Sequence, residues 1–259
     1  MKVLVGDIGN TITKVCLIEI KKLKIKKVVY FESKKILSNR FLKKEFKKII
    51  KNKSIIKNAL FSSVVPKYQA LLKKFLIRSY KIKLREIKES NIKKTIKINV
   101  KNKDQVGSDR LANASGVNRN YKSNCIVVDF GTATTFDVVT KAGIYNGGVI
   151  APGVNLSMKS LTNSADQIPN FSIKKQKKII GKNTIQALRS GFYWGYTGLI
   201  NNIILKIEHE TKKKYKIVFT GGFADLFKTS ISRPFIVDKN ITIKGIIEIF
   251  KKNKKYLNQ

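Results

Sequence analysis

The chain has 259 residues and 42% of them are hydrophobic, which is enough to fill the core of one large domain or of two ordinary ones. The formal net charge is +38, and His209 is the single histidine, which argues against a zinc cluster or a Ser-His-Asp hydrolase. No stretch approaches the ~20 apolar residues of a membrane span, so we expect a cytoplasmic protein that does not enter a membrane. Cys16 and Cys125 lie far apart in apolar runs, which is typical of reduced core thiols.

The positive charge leaves two interpretations open. Taken alone, it favours a nucleic-acid partner whose phosphates the basic residues neutralise. However, only seven of the 54 basic residues are arginine, the residue that reads bases and binds phosphate in a bidentate way. The alternative is a set of solvated lysine faces produced by compositional drift, with nucleic acid bound only non-specifically. In either case we expect the charge to attract anionic substrates.

Hydrophobic periodicity predicts the order βββαβα in the first part of the chain. The predicted strands cover residues 2–9, 12–20, 22–31 and 58–65, and the predicted amphipathic helices cover 40–52 and 67–79. Residues 84–100 then predict a short strand followed by extended chain, and a glycine loop at 107 leads into a helix.

The second part of the chain begins with three strands again. We predict strands at 124–130, 136–140, 142–150 and 215–220, helices at 154–161, 183–207 and 224–230, and a polar loop at 162–178. Gly191, Gly195 and Gly198 lie on nearly one face of the longest helix, where glycine costs ~1 kcal/mol relative to alanine. They indicate close packing, either against another helix of this chain or across a dimer interface.

The repeated βββ pattern predicts an α/β fold of two ribonuclease-H-like domains of βββαβα type with an active-site cleft between them. We place the domains at residues 1–118 and 119–259.

Three strand ends carry glycine together with hydroxyl or carboxylate side chains. They are Asp7–Lys14, Asp129–Thr135 and Thr220–Gly222, and each could present backbone amides and hydroxyls to phosphate oxygens. Neither a P-loop nor a Rossmann fingerprint is present. A single turn of this kind is a weak signal, whereas three at strand ends together indicate a phosphate site.

Three aspartates are candidates for chemistry. Asp7 and Asp129 stand where a carboxylate could hold a cation beside phosphates, although each could instead cap a turn. Asp109 follows a glycine loop beside Arg110, so it could accept a proton from a substrate hydroxyl while Arg110 holds a carboxylate or phosphate. The alternative for this pair is a surface ion pair at a helix start. Asp137 remains unassigned.

Four motifs, taken together, resemble the type III pantothenate kinases of the acetate and sugar kinase, heat-shock ATPase and actin superfamily. They are Asp-Ile-Gly-Asn-Thr at 7–11, Gly-Ser-Asp-Arg-Leu-Ala-Asn at 107–113, Asp-Phe-Gly-Thr-Ala-Thr-Thr-Phe-Asp at 129–137 and Gly-Gly-Val-Ile-Ala-Pro-Gly at 147–153. The resemblance extends over residues 2 to 250. It implies ATP-dependent phosphorylation of pantothenate, the first step of coenzyme A synthesis, by a homodimer that uses Mg²⁺ with ATP and a monovalent cation, K⁺ or NH₄⁺.

The resemblance also implies roles for individual residues. Asp109 would be the base and Asp129 would hold the monovalent cation. The ATP-binding set would be Asp7, Ile8, Gly9, Asn10, Thr11, Ile12, Thr13, Lys14 and Thr132, and the pantothenate-binding set would be Val100, Gly107, Ser108, Asp109, Arg110 and Thr184.

The chain departs from the family pattern at two positions. Val100 stands where many members have a tyrosine, and Lys103 stands where a proline is common. These departures concern substrate affinity more than chemistry.

Two other functions stay open: a related kinase of the same superfamily for another small hydroxyl compound, and an accessory protein of gene expression that binds nucleic acid through its basic surface.

Overall fold

The computed structural model describes residues 2–20, 22, 24–50, 56–228 and 233–257. The chain separates into two compact units: Met1–Lys122 with Lys141–Asn146 and Asn240–Gln259, and Ser123–Thr140 with Gly147–Lys239. The first unit thus extends four residues beyond the predicted boundary at 118. It also takes in the C-terminal segment, because a helix of that segment packs on the helix that begins at Ser108.

The first unit contains a five-stranded sheet in the order β3-β2-β1-β4-β5. Its strands are β1 (Lys2–Ile8), β2 (Ile12–Glu19), β3 (Lys24–Glu32), β4 (Asn58–Ser63) and β5 (Lys83–Glu86). The first three are antiparallel neighbours, whereas β4 and β5 run parallel to β1. Residues 3–5 form a central strand because all three side chains are apolar and fully buried.

The α-helices among the described residues of the first unit are α1 (Asn39–Ile49), α2 (Pro66–Tyr80), α3 (Ser108–Tyr121), α7 (Ile241–Lys252) and α8 (Lys254–Leu257). Helix α1 buries Leu42, Phe46 and Ile49 and turns its lysines outward. Its N-terminus is capped by Ser38 Oγ, which accepts a hydrogen bond of 3.2 Å from Phe41 N. Pro66 begins α2, where its fixed φ suits the first helical position.

Helices α3 and α7 cross at glycines. A β-carbon at Gly245 would overlap with the carbonyl oxygen of Ala112, and one at Gly116 would overlap with that of Ile241. The Thr242 hydroxyl donates to Asn113 Oδ1 at 2.7 Å across the same contact. The close crossing therefore requires glycine at both positions.

The second unit is built on strands β7 (Cys125–Phe130), β8 (Ala133–Val139), β9 (Ile144–Pro152), β10 (Lys216–Gly221) and β11 (Phe235–Val237), in the order β11-β10-β7-β8-β9. Residues 144–146 at the start of β9 belong to the first unit, where Ile144 and Tyr145 pair with β6 (Lys97–Ile98). The helices of the second unit are α4 (Val154–Ser164), α5 (Thr184–Thr211) and α6 (Ala224–Phe227). Phe130, Phe136, Phe219 and Phe227 fill its core with the buried side of α5.

The predicted two-sheet α/β fold and the opening order βββαβα are confirmed. The extended chain predicted after residue 86 is wrong at two places, where Ile87–Glu89 and Ile92–Lys94 form 3₁₀ turns. The first turn forms because Glu86 and Glu89 make a capping box. Predicted elements also included residues 23, 51, 52, 229 and 230, which lie outside the described residues. No helix among the described residues is long and apolar enough to cross a membrane.

Candidate active site

The turn between β1 and β2 presents backbone to solvent. Gly9 N donates to Ile12 O at 3.1 Å, and Asn10 and Thr11 lie exposed at the tip. Thr13 is fully buried instead, and its hydroxyl lies 2.8 Å from Ser33 Oγ. Ser33 Oγ in turn donates to Gly9 O at 2.6 Å. Thr13 therefore fixes the turn from inside, while Asn10 and Thr11 at its tip face solvent.

Asp7 lies at the end of β1, where its neighbour on β4 supports it. The Ser62 hydroxyl donates to Asp7 Oδ1, and the two residues face each other in the parallel register. Asp7 is half-buried and Ser62 is fully buried. Sequence reasoning missed Ser62, although serines at the end of a buried strand are a usable signal once β1 and β4 are paired.

Lys14 is held by two groups of the first unit. Its Nζ donates to Asn240 Oδ1 at 2.7 Å and lies 5.2 Å from the centroid of the Tyr30 ring. The bond to Asn240 joins residues 226 positions apart, so no local pattern could have predicted it. Lys14 thus has a defined place beside the turn of β1 and β2.

Asp109 lies in the first turn of α3, after the loop that ends at Gly107. Its Oδ1 accepts a hydrogen bond of 2.8 Å from Arg110 N, and a β-carbon at residue 107 would lie 2.5 Å from that same oxygen. Glycine is therefore required for the carboxylate to fold back over the loop. Burial raises the pKa of Asp109 above its ordinary value, and the N–H and the charge of Arg110 offset part of that rise. The result is a carboxylate of increased basicity.

Tyr145 connects the predicted substrate residues of the first unit. The Arg110 guanidinium lies 5.8 Å from the Tyr145 ring centroid, within cation–π range. Asn99 N, next to Val100, donates to Tyr145 O at 2.9 Å. Tyr145 is buried and sequence reasoning missed it, because nothing near it in the chain indicates this contact.

In the second unit, Asp129 and Thr132 lie at the hairpin of β7 and β8. Gly131 N donates to Ala133 O at 3.0 Å to close the turn, and Thr132 is exposed. A β-carbon at Gly153 would overlap with the Thr132 carbonyl oxygen. The glycine of the Ala-Pro-Gly motif therefore permits the chain after β9 to pass directly under the hairpin.

The structure brings the Thr220–Gly222 motif beside Asp129. Thr220 pairs with Asp129 in the parallel register of β10 and β7, and Gly221 has φ +85° against Phe130 and the Asp129 carboxylate. Such a φ favours glycine. Asp137, by contrast, is fully buried within β8 opposite Val127, away from the hairpin turn.

Thr184 is the exposed first residue of α5, where the Asn183 side chain caps the helix by accepting from Gln186 N at 2.9 Å. Thr184 lines a groove of about 640 Å³ between α4 and α5. Further along this face, a β-carbon at Gly191, Gly195 or Gly198 would meet no atom of the described residues within 4 Å. The glycine face is thus open as far as the described residues extend, and packing against another of their helices is not observed there.

The structure sorts the predicted site residues into two groups. The first unit holds Asp7–Lys14, Val100 and Gly107–Arg110, and the second unit holds Asp129, Thr132 and Thr184. Each group combines carboxylates, hydroxyls and exposed turn amides, which are groups that bind phosphate oxygens and cations.

The family model for type III pantothenate kinase matches residues 3–206. The type III pantothenate kinase of Pelagibacter ubique is 53% identical over 245 residues, covering 95% of this chain and 97% of that protein. The type III pantothenate kinase of Hyphomonas neptunium is 36% identical over 78% of this chain and 79% of that protein.

Solved structures share the fold at low identity. A Campylobacter jejuni protein assigned to the Baf family of transcriptional activators superposes with TM-score 0.61 and 19% identity, over 97% of this chain and 99% of that one. The activator of 2-hydroxyisocaproyl-CoA dehydratase from Clostridium difficile, with bound ADPNP, superposes with TM-score 0.56 and 12% identity, over 100% of this chain and 97% of that one. These superpositions show that the predicted two-sheet α/β fold also occurs in solved structures.

Proposed function

The chain belongs to the type III pantothenate kinase family, and from this membership we propose that it transfers the γ-phosphoryl group of ATP to the primary hydroxyl of pantothenate. The product is 4′-phosphopantothenate, formed in the first step of coenzyme A synthesis. The observation that supports this most directly is the Asp109 carboxylate, which has a raised pKa and lies beside Arg110 in the first turn of α3, directly after a glycine loop.

Asp109 acts as the general base in this proposal. A base is most efficient when its pKa approaches the working pH, and burial moves the pKa of Asp109 in that direction. Its Oδ1 accepts from Arg110 N, so the carboxylate has a fixed orientation when a substrate hydroxyl approaches. The hydroxyl proton passes to Asp109 as the new bond from oxygen to phosphorus forms and the bond to the leaving ADP oxygen breaks.

Pantothenate is an anion with hydroxyl and amide groups, and the proposed residues match that chemistry. Arg110 binds the carboxylate through its guanidinium, whose orientation the Tyr145 ring restricts. Gly107 and Ser108 present backbone and hydroxyl groups to the polar part of the substrate. Val100 and Thr184 complete the proposed set.

ATP is bound through its phosphates at the β1–β2 turn, residues 7–14, and Thr132 provides a further contact. The exposed tip offers amides, and Lys14, held by Asn240, adds a positive charge. In phosphoryl transfer, positioning and neutralisation of the oxygen charges provide most of the acceleration.

Two cations complete the proposal. Mg²⁺ in proteins is bound by one or two carboxylates together with substrate phosphates, and the half-buried Asp7, held by Ser62, suits that role. Asp129 would hold K⁺ or NH₄⁺, since a half-buried carboxylate beside the Gly221 backbone suits a weakly hydrated cation. When bound, these cations neutralise negative charge on the phosphate oxygens.

The direct test is ADP release measured in a coupled assay with and without pantothenate, in buffers whose monovalent cation is K⁺, NH₄⁺ or Na⁺. We expect pantothenate-dependent turnover that K⁺ and NH₄⁺ activate over Na⁺. Turnover with another hydroxyl substrate and none with pantothenate would overturn the assignment, and equal rates in all three buffers would overturn the role of Asp129.

We also propose that the protein is a homodimer joined through α5. The open face of Gly191, Gly195 and Gly198 allows the backbone of a second helix to approach closely, and the groove beside it is lined mainly by apolar side chains. Helix interiors rarely retain three exposed glycines, because each costs ~1 kcal/mol relative to alanine. A partner that packs on this face explains their presence.

A second candidate function is binding of nucleic acid, and one surface of the first unit favours it. Arg40, Lys43, Lys44 and Lys47 line a shallow cavity of about 480 Å³ on the exposed side of α1. Charge reversal of these four, compared with reversal of Lys67, Lys73, Lys74 and Arg78 on the exposed side of α2, tests it. Specific binding requires that only the α1 variant loses affinity for a labelled DNA duplex at physiological salt, whereas equal small losses indicate non-specific attraction.

A further inference from the structure

Ser33 is a buried serine that lies outside the sequence motifs and has no role in the proposed function so far. It begins the 3₁₀ turn Ser33–Leu37 directly after β3, and its side chain is fully buried. A buried hydroxyl without hydrogen bonds is unfavourable, so the partners of Ser33 indicate why the chain carries a hydroxyl at this position.

Both the main chain and the side chain of Ser33 bind the turn between β1 and β2. Ser33 N donates to Thr11 O at 2.8 Å, and Ser33 Oγ donates to Gly9 O at 2.6 Å. These two carbonyl groups belong to the residues on either side of Asn10, at the tip of the turn. Ser33 therefore holds the turn at two points, although it lies 24 positions from Gly9 in the chain.

The hydroxyls of Thr13 and Ser33 form a chain of hydrogen bonds with one direction. Their oxygens lie 2.8 Å apart, and both side chains are fully buried. A serine hydroxyl has one proton, and Ser33 donates it to Gly9 O, so Thr13 must be the donor to Ser33 Oγ. Hydrogen bonds in such a chain polarise one another, which strengthens the last bond, to the carbonyl of Gly9.

The bond to Gly9 O determines the orientation of one peptide group of the turn. The peptide between Gly9 and Asn10 is trans and planar, so its C=O and N–H point in opposite directions. Because Ser33 binds the carbonyl oxygen, the Asn10 N–H points away from Ser33. Reversal of this peptide group would place a carbonyl oxygen where the N–H now lies, and a carbonyl oxygen repels the phosphate oxygens that backbone N–H groups bind.

We infer that Ser33 and Thr13 are positioning residues of the nucleotide site, which keep the Gly9–Asn10 peptide in the orientation that offers its N–H to a phosphate oxygen. Glycine adopts either orientation readily, so residue 9 does not by itself prevent the reversal. The inference rests on the proposed function, in which the β1–β2 turn binds the phosphates of ATP. It gives Thr13 an indirect role in place of a side-chain contact with ATP, since that side chain is fully buried.

The first experiment compares Ser33→Ala with Ser115→Ala. Ser115 of α3 is likewise buried, at 1% exposed, and its hydroxyl lies 3.2 Å from Thr95 Oγ1 in the same unit. We expect Ser33→Ala to raise the Kd for Mg²⁺–ATP, measured by isothermal titration calorimetry, by about 10- to 100-fold, as loss of one hydrogen bond to a charged group does. Both variants lose a buried hydroxyl contact, so both thermal midpoints should fall, whereas Ser115→Ala should keep the wild-type Kd.

Steady-state kinetics distinguish positioning from a general loss of structure. In Ser33→Ala the KM for ATP should rise while the KM for pantothenate stays at the wild-type value, because the turn contacts only the nucleotide in the proposed function. A general loss of structure would raise both KM values. An unchanged Kd for ATP in Ser33→Ala, or a rise of the same size in Ser115→Ala, would overturn the inference, as would an equal rise of the two KM values.

Variants of Thr13 test the chain of hydroxyls. Thr13→Val keeps the shape of the side chain without its hydroxyl and should weaken ATP binding, whereas Thr13→Ser keeps the hydroxyl and should retain affinity close to that of the wild type. Combined with Ser33→Ala, Thr13→Val should have no further effect, since both act through the bond to Gly9 O. A further loss of tenfold or more would show that Thr13 acts by another route and would overturn the chain from Thr13 to Gly9.

The titrations separate this inference from the proposed function, because they measure ATP binding without turnover. Wild-type protein that binds ATP without phosphorylating pantothenate would remove the proposed reaction alone, and weaker ATP binding by Ser33→Ala would still support the positioning role. Pantothenate-dependent turnover in the wild type, together with equal Kd values for the wild type and Ser33→Ala, would remove only the positioning role.

Discussion

Asp109 and Glu86 are two carboxylates of the first unit whose surroundings raise the pKa of both by burial. Asp109 lies in the first turn of α3, and Glu86 is the last residue of β5. Neither arrangement favours stability at neutral pH, because folding removes both charged groups from water. Residues that oppose stability in this way are characteristic of functional sites.

Asp109→Asn should lower kcat by about 10²- to 10⁴-fold, the usual contribution of a general base. The thermal midpoint should not fall, because the substitution removes a buried charge whose raised pKa works against folding at neutral pH. Coupled ADP release and differential scanning fluorimetry measure the two effects. Asp104→Asn, an exposed aspartate of the preceding loop, is the matched control and should keep wild-type turnover. Near-normal turnover in Asp109→Asn would contradict the role of the base.

The pH profile gives a separate prediction. Asp109 must be ionised to accept a proton, so kcat should fall as the pH falls through its pKa. Because burial raises that pKa, the midpoint of this decline should lie above the ordinary aspartate value of about 3.9. The measurement is kcat against pH at saturating ATP and pantothenate, within the range where the protein stays folded. If the residual turnover of Asp109→Asn shows the same decline, another group is responsible for it.

At the level of elements, strand ends and one helix crossing determine where the site residues lie. β1 and β4 place Asp7 beside Ser62, and β7 and β10 place Asp129 beside Gly221. The α3–α7 contact sets the position of the helix that carries Asp109, and it depends on Gly116 and Gly245. The order of these elements was predictable from hydrophobic periodicity, whereas the pairs that come into contact were not.

Gly245→Ala tests the helix crossing. The added methyl group would overlap with the Ala112 carbonyl oxygen, so we expect a loss of about 1–3 kcal/mol in the free energy of unfolding, as for other overpacked contacts. Urea unfolding followed by circular dichroism measures it. Gly222→Ala is the control, because a β-carbon there would have its nearest neighbour at 3.9 Å. Equal stability of the two variants would contradict this prediction, because it would mean that α3 and α7 can move apart without a loss in the free energy of unfolding.

At the scale of the whole molecule, the properties that matter for the proposed function are the net charge and the oligomeric state. A net charge of +38 acts on every anion that approaches, including ATP and pantothenate, so it assists substrate encounter without giving specificity. The exposed glycine face, by comparison, is confined to one side of α5, and a partner must fit that surface closely to pack on it.

Gly195→Glu tests the proposed dimer. A charged side chain in the middle of the open face should prevent close approach of a second α5, so the variant should be monomeric where the wild type is dimeric. Size-exclusion chromatography with light scattering measures the mass at several concentrations. Glu210→Ala, about 22 Å further along the same helix, is the control and should remain dimeric. A monomeric wild type at all concentrations would contradict the proposal.

The sequence by itself determined the order of most elements, the apolar cores of both sheets and the family, because these depend on local hydrophobic periods and on short motifs such as residues 107–113 and 129–137. Tertiary structure decided which groups support the candidate site residues: Ser62 at Asp7 and Asn240 at Lys14. The physical reason is that these contacts join residues 55 and 226 positions apart. Strand order and helix packing, which depend on the whole fold, bring them together, whereas local propensity acts only over a few residues.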